Sequence, residues 1–227
     1  MNKPRVFVFG NSNVSQFSGQ NSIISPEYVS TVSYPSDRFE YCIMNLGPST
    51  AYNFFWNTDY YSRVLDILRM VAPEKDGYVA LFLGEIDCRV HIGLQAEKSG
   101  RPLDECIEEV VDRMFMCYLD LKKRGYTPVV FSVQPASTAL PNNNPASPLY
   151  GTYDFRNRLT HKFNEFLQKK SRIHSILFCS IFDSLMQDEI TPLPDIFMDY
   201  VHIKGEVVRK YYDEALHTLL GGISLSN

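Results

Sequence analysis

Apolar residues fall along this chain in two rhythms. Nearly unbroken apolar runs stand at residues 6–10 (VFVFG), 39–47 (FEYCIMNLG), 78–84 (YVALFLG), 128–133 (PVVFSV) and 175–179 (SILFC). Each is too short for a helix of ordinary length and is apolar on both faces, the pattern of parallel strands covered on both sides. Gly47-Pro48 closes the second run, because proline has no N–H to give to a ladder.

Between these runs, apolar positions recur at three and four. Over 58–71, Tyr61, Val64, Leu65, Leu68 and Val71 form one helical stripe that Pro73 ends. Over 103–124, Ile107, Val110, Val111, Met114, Tyr118 and Leu121 form another. There Asp104, Glu105, Glu108 and Glu109 crowd the start, Lys122 to Arg124 the end, and Gly125 stops the helix. Further helices are predicted over about 154–170, with Phe155, Leu159, Phe163, Phe166 and Leu167 inward, and over about 204–220, with Val208, Tyr211, Ala215, Leu216 and Leu219 apolar. Residues 12–36, rich in Ser, Asn and Gln, read as a short helix or loop. Residues 134–153 contain four prolines, which exclude regular structure. So long a loop leaving the carboxyl end of a strand reads as a lid or wall on the substrate side.

Strand and helix alternate, so the fold class is α/β. The expected architecture is a three-layer α/β/α sandwich on a mostly parallel five-stranded sheet, with right-handed crossovers, flavodoxin-like in outline. The 227 residues suit one domain spanning 1–227, long enough to bury a sizeable core.

Composition narrows the partners. A formal charge of −4 and a pI near 5.7 argue against a nucleic-acid or anionic-membrane surface. The runs Lys122-Lys123-Arg124 and Lys169-Lys170 sit near helix C-termini, where they complement the helix dipole. No apolar run reaches the ~18 residues of a membrane span. The amino-terminal MNKPRVFVFG passes straight into the first strand, which predicts no signal peptide. Five cysteines without a CxxC pair suit reduced, buried thiols, and hence a cytoplasmic protein. No cofactor is expected.

Four short stretches carry the candidate chemistry: GNSN (10–13), NLGPST (45–50), GEIDCRVH (84–91) and DYVH (199–202). The first three follow predicted strands, so a parallel sheet delivers them to one edge. The fourth precedes the last helix and can reach that edge from the closing loop. Ser12 alone could equally be a turn or N-cap residue, and D-x-x-H alone could be an Asx turn with an incidental histidine. Glu85, Asp87, Cys88 and His91 are metal-ligand types, but no second histidine lies close by, and a polar network of Glu85, Asp87 and Arg89 is the preferred reading, with no metal. His161, His174 and His217 read as structural or exposed.

The order of these blocks resembles the SGNH, or GDSL-like, hydrolase family over most of the chain. Gly10-Asn11-Ser12 matches the G-D-S block with Asn for Asp, and Gly47 matches the second-block glycine whose N–H helps bind the oxyanion. Gly84-Glu85-Ile86-Asp87 matches G-x-N-D, with Ile86 where an asparagine would supply a further oxyanion donor, and Asp199 and His202 match D-x-x-H unchanged. The resemblance implies a serine esterase with Ser12 as nucleophile, His202 as general base and Asp199 orienting it. A serine hydroxyl is a weak nucleophile until an imidazole takes its proton, and an aspartate fixes the tautomer of that imidazole. The N–H groups of Ser12 and Gly47 would form the oxyanion hole, with Asn13, Asn45, Asn53 or Arg89 as candidate replacements for the donor that Ile86 lacks.

The expected function is hydrolysis or transfer of a small acyl group on a polar, carbohydrate-like ester, with Asn13, Asn45, Glu85, Asp87 and Arg89 facing substrate. For Arg89 an ion pair with Glu85 or Asp87 is the competing role. The rival function is an SGNH-like domain of reduced or lost catalysis that binds a sugar or nucleotide-sugar, motivated by Asn11 and Ile86. A mononucleotide binder of flavodoxin type ranks last, because the first turn carries no glycine-rich phosphate loop.

Overall fold

The computed structural model describes residues 3–26, 31–139 and 148–221. Its central strand is β1 (Arg5–Gly10), fully enclosed after Arg5. Phe7 and Phe9 enter one core and Val6 and Val8 the other, as the two-residue period of a strand covered on both faces requires.

Among the described residues the sheet has six strands in the order β2-β3-β1-β4-β5-β6. They are β2 (Val32–Pro35), β3 (Glu40–Asn45), β4 (Tyr78–Phe82), β5 (Thr127–Phe131) and β6 (Leu177–Cys179) around β1. All neighbours run parallel except β2, which pairs antiparallel with β3. The sequence pattern predicts five strands and misses β2, because this edge strand is only four residues long, largely exposed, and ends in a proline.

Helices α1 (Thr58–Val71), α3 (Leu103–Lys123) and α4 (Tyr153–His174) pack on one face against Phe7, Phe9, Met44 and Leu81. A 3-10 segment, Ser12–Ser18, and α5 (Gly205–Gly221) cover the other, where Phe17, Val208, Tyr212 and Leu216 are fully buried. After β4 the chain makes a five-residue π-helical turn, Asp87–His91, and then α2 (Ile92–Ser99). The sequence pattern reads a loop there, since so short a helix shows only two turns of periodicity. In α4 the inward face is more polar than its pattern predicts: Arg156, Asn157, Thr160 and Asn164 are buried beside Leu159, Phe163 and Leu167, while Phe155 and Phe166 are only half-buried. Of the 134–153 loop, residues 140–147 lie outside the described residues, as do 27–30 of the 12–36 stretch.

From β1 the chain adds β3 on one side and then β4 on the other, so the strand order reverses at the carboxyl end of β1. Open α/β sheets form their ligand crevice at that switch point. Gly10 is required there: a Cβ on it would lie 2.2 Å from the Phe82 carbonyl oxygen. The five cysteines are free and buried. Among the described residues no helix is long and apolar enough to cross a membrane.

Candidate active site

The carboxyl end of β1 turns directly into the 3-10 segment. Asn11 caps it, its Oδ1 accepting the Asn13 N–H at 3.0 Å. That cap leaves Ser12 as the first residue of the segment, half-buried, with no preceding turn to take its N–H.

Opposite stands the turn before α5. Met198 N–H donates to the His202 carbonyl at 2.8 Å, and Phe197 and Ile203 form a bridge, so residues 198–202 make a tight reversal. Within it the Asp199 carboxylate works with both oxygens. Oδ1 accepts the N–H groups of Val201 and His202, both at 2.7 Å, and Oδ2 accepts from His202 Nδ1 at 2.8 Å. His202 Nε2 lies 2.8 Å from Ser12 Oγ. With Nδ1 as donor, Nε2 is the acceptor that the hydroxyl needs. Burial opposes ionisation of Asp199, but the imidazole and the two backbone N–H groups outweigh it and hold its pKa at about 2. The carboxylate is therefore charged across the physiological range.

Buried amides join these two turns. Gln134, just beyond β5, donates to the Val201 carbonyl at 2.6 Å and to Asn13 Oδ1 at 2.9 Å, and its Oε1 accepts from Gln16 at 2.8 Å. Gln16 also donates to the Asn13 carbonyl, and its Oε1 accepts from Tyr212 on α5. Neither Gln134 nor Gln16 stands out in sequence. The available signal is a glutamine at the end of an otherwise apolar strand run, where a polar side chain must find partners.

No family model matches the chain, and no curated protein matches it in sequence. Solved structures do match it. A provisionally assigned acylhydrolase from Bacteroides fragilis is 16% identical, with a TM-score of 0.58 over 98% of this chain and 91% of that one. A GDSL-like lipase from Bacteroides thetaiotaomicron is 13% identical, with a TM-score of 0.56 over 97% and 89%. A catalytic mutant of an acetylxylan esterase from Geobacillus stearothermophilus is 12% identical, with a TM-score of 0.54 over 97% and 96%. The chain has the SGNH-hydrolase fold.

In this SGNH fold the residues expected to face substrate or oxyanion divide into two groups. Asn13 and Arg89 both bond Glu85, at 3.3 and 2.6 Å, and Arg89 also donates to the Pro148 carbonyl at 2.7 Å. Glu85 and Arg89 keep only 11% of their side-chain surfaces exposed. They form the ion pair that is the competing role for Arg89, next to the Ser12 turn. Asn45 is buried and structural: its Nδ2 donates to the Ile24 carbonyl and its Oδ1 accepts the Gly47 N–H at 2.9 Å. Asp87 sits beneath the segment after β3 and borders the cavity between that segment and α2. It is fully enclosed, its two oxygens accepting the Ala51 and Tyr52 N–H groups at 2.7 and 3.2 Å. Burial pushes its carboxyl pKa up, against the pull of those two N–H bonds.

Gly47 adopts φ +83, and a Cβ there would meet nothing within 4 Å. Gly47 is nevertheless buried, open only where a Cβ would stand, and its N–H points to Asn45 Oδ1. Ile86 is half-buried and Asn53 exposed. A cavity of about 410 Å³ lies between the segment after β3 and α2, lined by Thr50, Tyr52, Asn53, His91, Gln95 and Arg101 among others. Ser12, Asp199 and His202 do not line it. Among the described residues no three His, Cys, Asp or Glu side chains converge to hold a metal ion.

Proposed function

We propose that this protein is a serine esterase that removes or transfers a small acyl group from a polar, carbohydrate-like ester. The observation that carries this reading is the continuous chain from Ser12 Oγ through His202 to Asp199, both links at 2.8 Å. As Ser12 Oγ attacks the ester carbonyl carbon, His202 Nε2 takes the hydroxyl proton and the carbonyl π electrons move onto oxygen. Asp199 stabilises the imidazolium. Collapse of the tetrahedral intermediate expels the alcohol, which leaves with the proton from His202. Water, or an acceptor alcohol, then attacks the acyl-serine by the same route and restores Ser12. The Ser12 N–H is the first oxyanion donor, and the Gly47 N–H is the second once it turns from Asn45 Oδ1.

Support for a carbohydrate-like alcohol comes from the acetylxylan esterase among the fold neighbours and from the polar Glu85 and Arg89 pair, partly exposed beside the Ser12 turn. Hydrolysis of p-nitrophenyl acetate tests the mechanism, together with mass-spectrometric detection of a fluorophosphonate adduct on Ser12. Ser12→Ala is expected to lose both. Hydrolysis by Ser12→Ala at the wild-type rate refutes the mechanism. Release of acetate from acetylated xylo-oligosaccharide tests the substrate class.

A second reading, a sugar-binding domain with little catalysis, is favoured by the oxyanion side, where Gly47 N–H is already engaged and Ile86 has no donor. Saturable sugar binding without turnover supports it, and robust esterase turnover removes it.

A further inference from the structure

We propose that Gln134 is the positioning residue that holds the base over the nucleophile, a role that rests on the esterase reading above. Its amide touches the residue that follows Ser12 and the residue that precedes His202. Both Nε2 protons are used, one on the Val201 carbonyl and one on Asn13 Oδ1, and Oε1 is occupied by Gln16. The side chain is 3% exposed, so water does not substitute for these bonds. Turning the amide over would set its oxygen against two acceptor oxygens, which fixes its orientation.

Away from the site the two turns are also held by the packing of the 3-10 segment on α5, where Arg209 donates to the Ser18 carbonyl at 2.7 Å and Tyr212 to Gln16 Oε1 at 3.1 Å, but Gln134 ties them at the residues next to Ser12 and His202. Ser12 belongs to the 3-10 segment on β1, and His202 to a reversal ending at α5, so their relative placement depends on side-chain bridges between separate elements. The link between Ser12 and His202 is itself one such bridge, but it must break and re-form in every turnover. Gln134 bonds only main-chain and amide groups that take no part in proton transfer, so it holds the frame while Ser12 and His202 exchange the proton. Glutamine suits the place because it combines two donors and one acceptor in one plane. Glutamate there would face the Val201 carbonyl and Asn13 Oδ1 with lone pairs, and methionine would keep the volume without any donor.

The test uses full-length Gln134→Met and Gln134→Glu. In p-nitrophenyl acetate hydrolysis both are expected to lose about 10- to 100-fold in kcat, the effect of a displacement on the order of 1 Å, with KM within about twofold. In a His202→Ala background, adding Gln134→Met is expected to change the residual rate by less than about twofold, because the effect runs through the imidazole. Equal losses in both backgrounds, or a loss that only tracks the folded fraction, overturns the proposal. Gln134→Glu keeps the shape and the Gln16 contact, and so serves if Gln134→Met does not fold. A crystal structure of either variant reads the geometry without reference to activity. Ser12 Oγ and His202 Nε2 are expected to separate beyond about 3.5 Å. Retention of the 2.8 Å contact overturns the positioning role, even where Ser12→Ala matches wild type and the esterase reading fails by itself.

Discussion

Replacing Asp199 by asparagine changes one oxygen for an NH₂ and leaves the shape of the side chain intact. The surroundings dictate which end turns where. Oδ1 holds the N–H groups of Val201 and His202 at 2.7 Å, and only an oxygen can accept them. The amide of Asp199→Asn therefore keeps its oxygen on the backbone and points its NH₂ at His202 Nδ1, where the carboxylate now accepts at 2.8 Å. Two donors cannot face each other, so Nδ1 must give up its proton and Nε2 must carry it. Nε2 then faces Ser12 Oγ as a donor and cannot take the hydroxyl proton. The trapped tautomer and the lost counter-charge together cost about 10⁴-fold in kcat in the general triad mechanism, or about 5.4 kcal/mol at 1.36 kcal/mol per decade. Because the two backbone bonds survive, Asp199→Asn is expected to melt within a few degrees of wild type, whereas Asp199→Ala loses both acceptors and melts lower. The assay is p-nitrophenyl acetate hydrolysis at neutral pH alongside thermal melting. An Asp199→Asn enzyme within tenfold of wild type refutes the tautomer argument.

Two further predictions concern the body of the fold. Asp87→Ala strips the acceptor from two N–H groups at a fully buried place, so a loss of about 2–4 kcal/mol is expected, or roughly 5–15 °C in Tm. KM for a small ester is expected to stay near wild type, and a KM effect at unchanged stability would give Asp87 a role at the substrate face. Burial lifts the Cys42 and Cys179 thiols to about 11 and about 12. The unfolded chain then loses these protons before the folded one does, so their stabilisation is complete below about pH 8.5. It is lost as pH rises towards the folded values, at up to about 1.4 kcal/mol per pH unit for each thiol. Urea midpoints at pH 8 and pH 10 measure this, and equal midpoints would contradict it.

Which parts of the molecule were legible in sequence follows from what each part is stabilised by. Strand β1 and helices α1 and α3 bury whole apolar stripes, and such stripes are visible as periods of two or of three and four. The edge strand β2 is held by backbone pairing to β3, and the π-helical turn with α2 is too short to repeat its pattern, so neither left a mark. At the site, the rule that parallel strands end on one edge placed Ser12, Gly47 and Glu85 near one another, and the spacing of Asp199 and His202 permitted the tight turn. Burial of individual polar groups was not legible. Asp87 and Glu85 stand two positions apart in one motif, yet one is sealed beneath the segment after β3 and the other meets Arg89 at the edge. Gln134 and Arg156 were invisible for the same reason, since only the assembled contacts distinguish a buried polar residue from an exposed one.

The contact between Ser12 and His202 joins residues 190 positions apart. A site closed across nearly the whole chain has no local precursor: no fragment or early hairpin can contain it, and loop-closure entropy delays it until the sheet and α5 have met. During refolding, reactivity of Ser12 toward a fluorophosphonate should therefore appear with the last structural phase rather than with helix formation. On the proposed esterase mechanism Ser12 then serves as a built-in clock for docking of the two ends, and partly folded chains, whether fresh from the ribosome or damaged later, carry an ordinary serine in place of a reactive one.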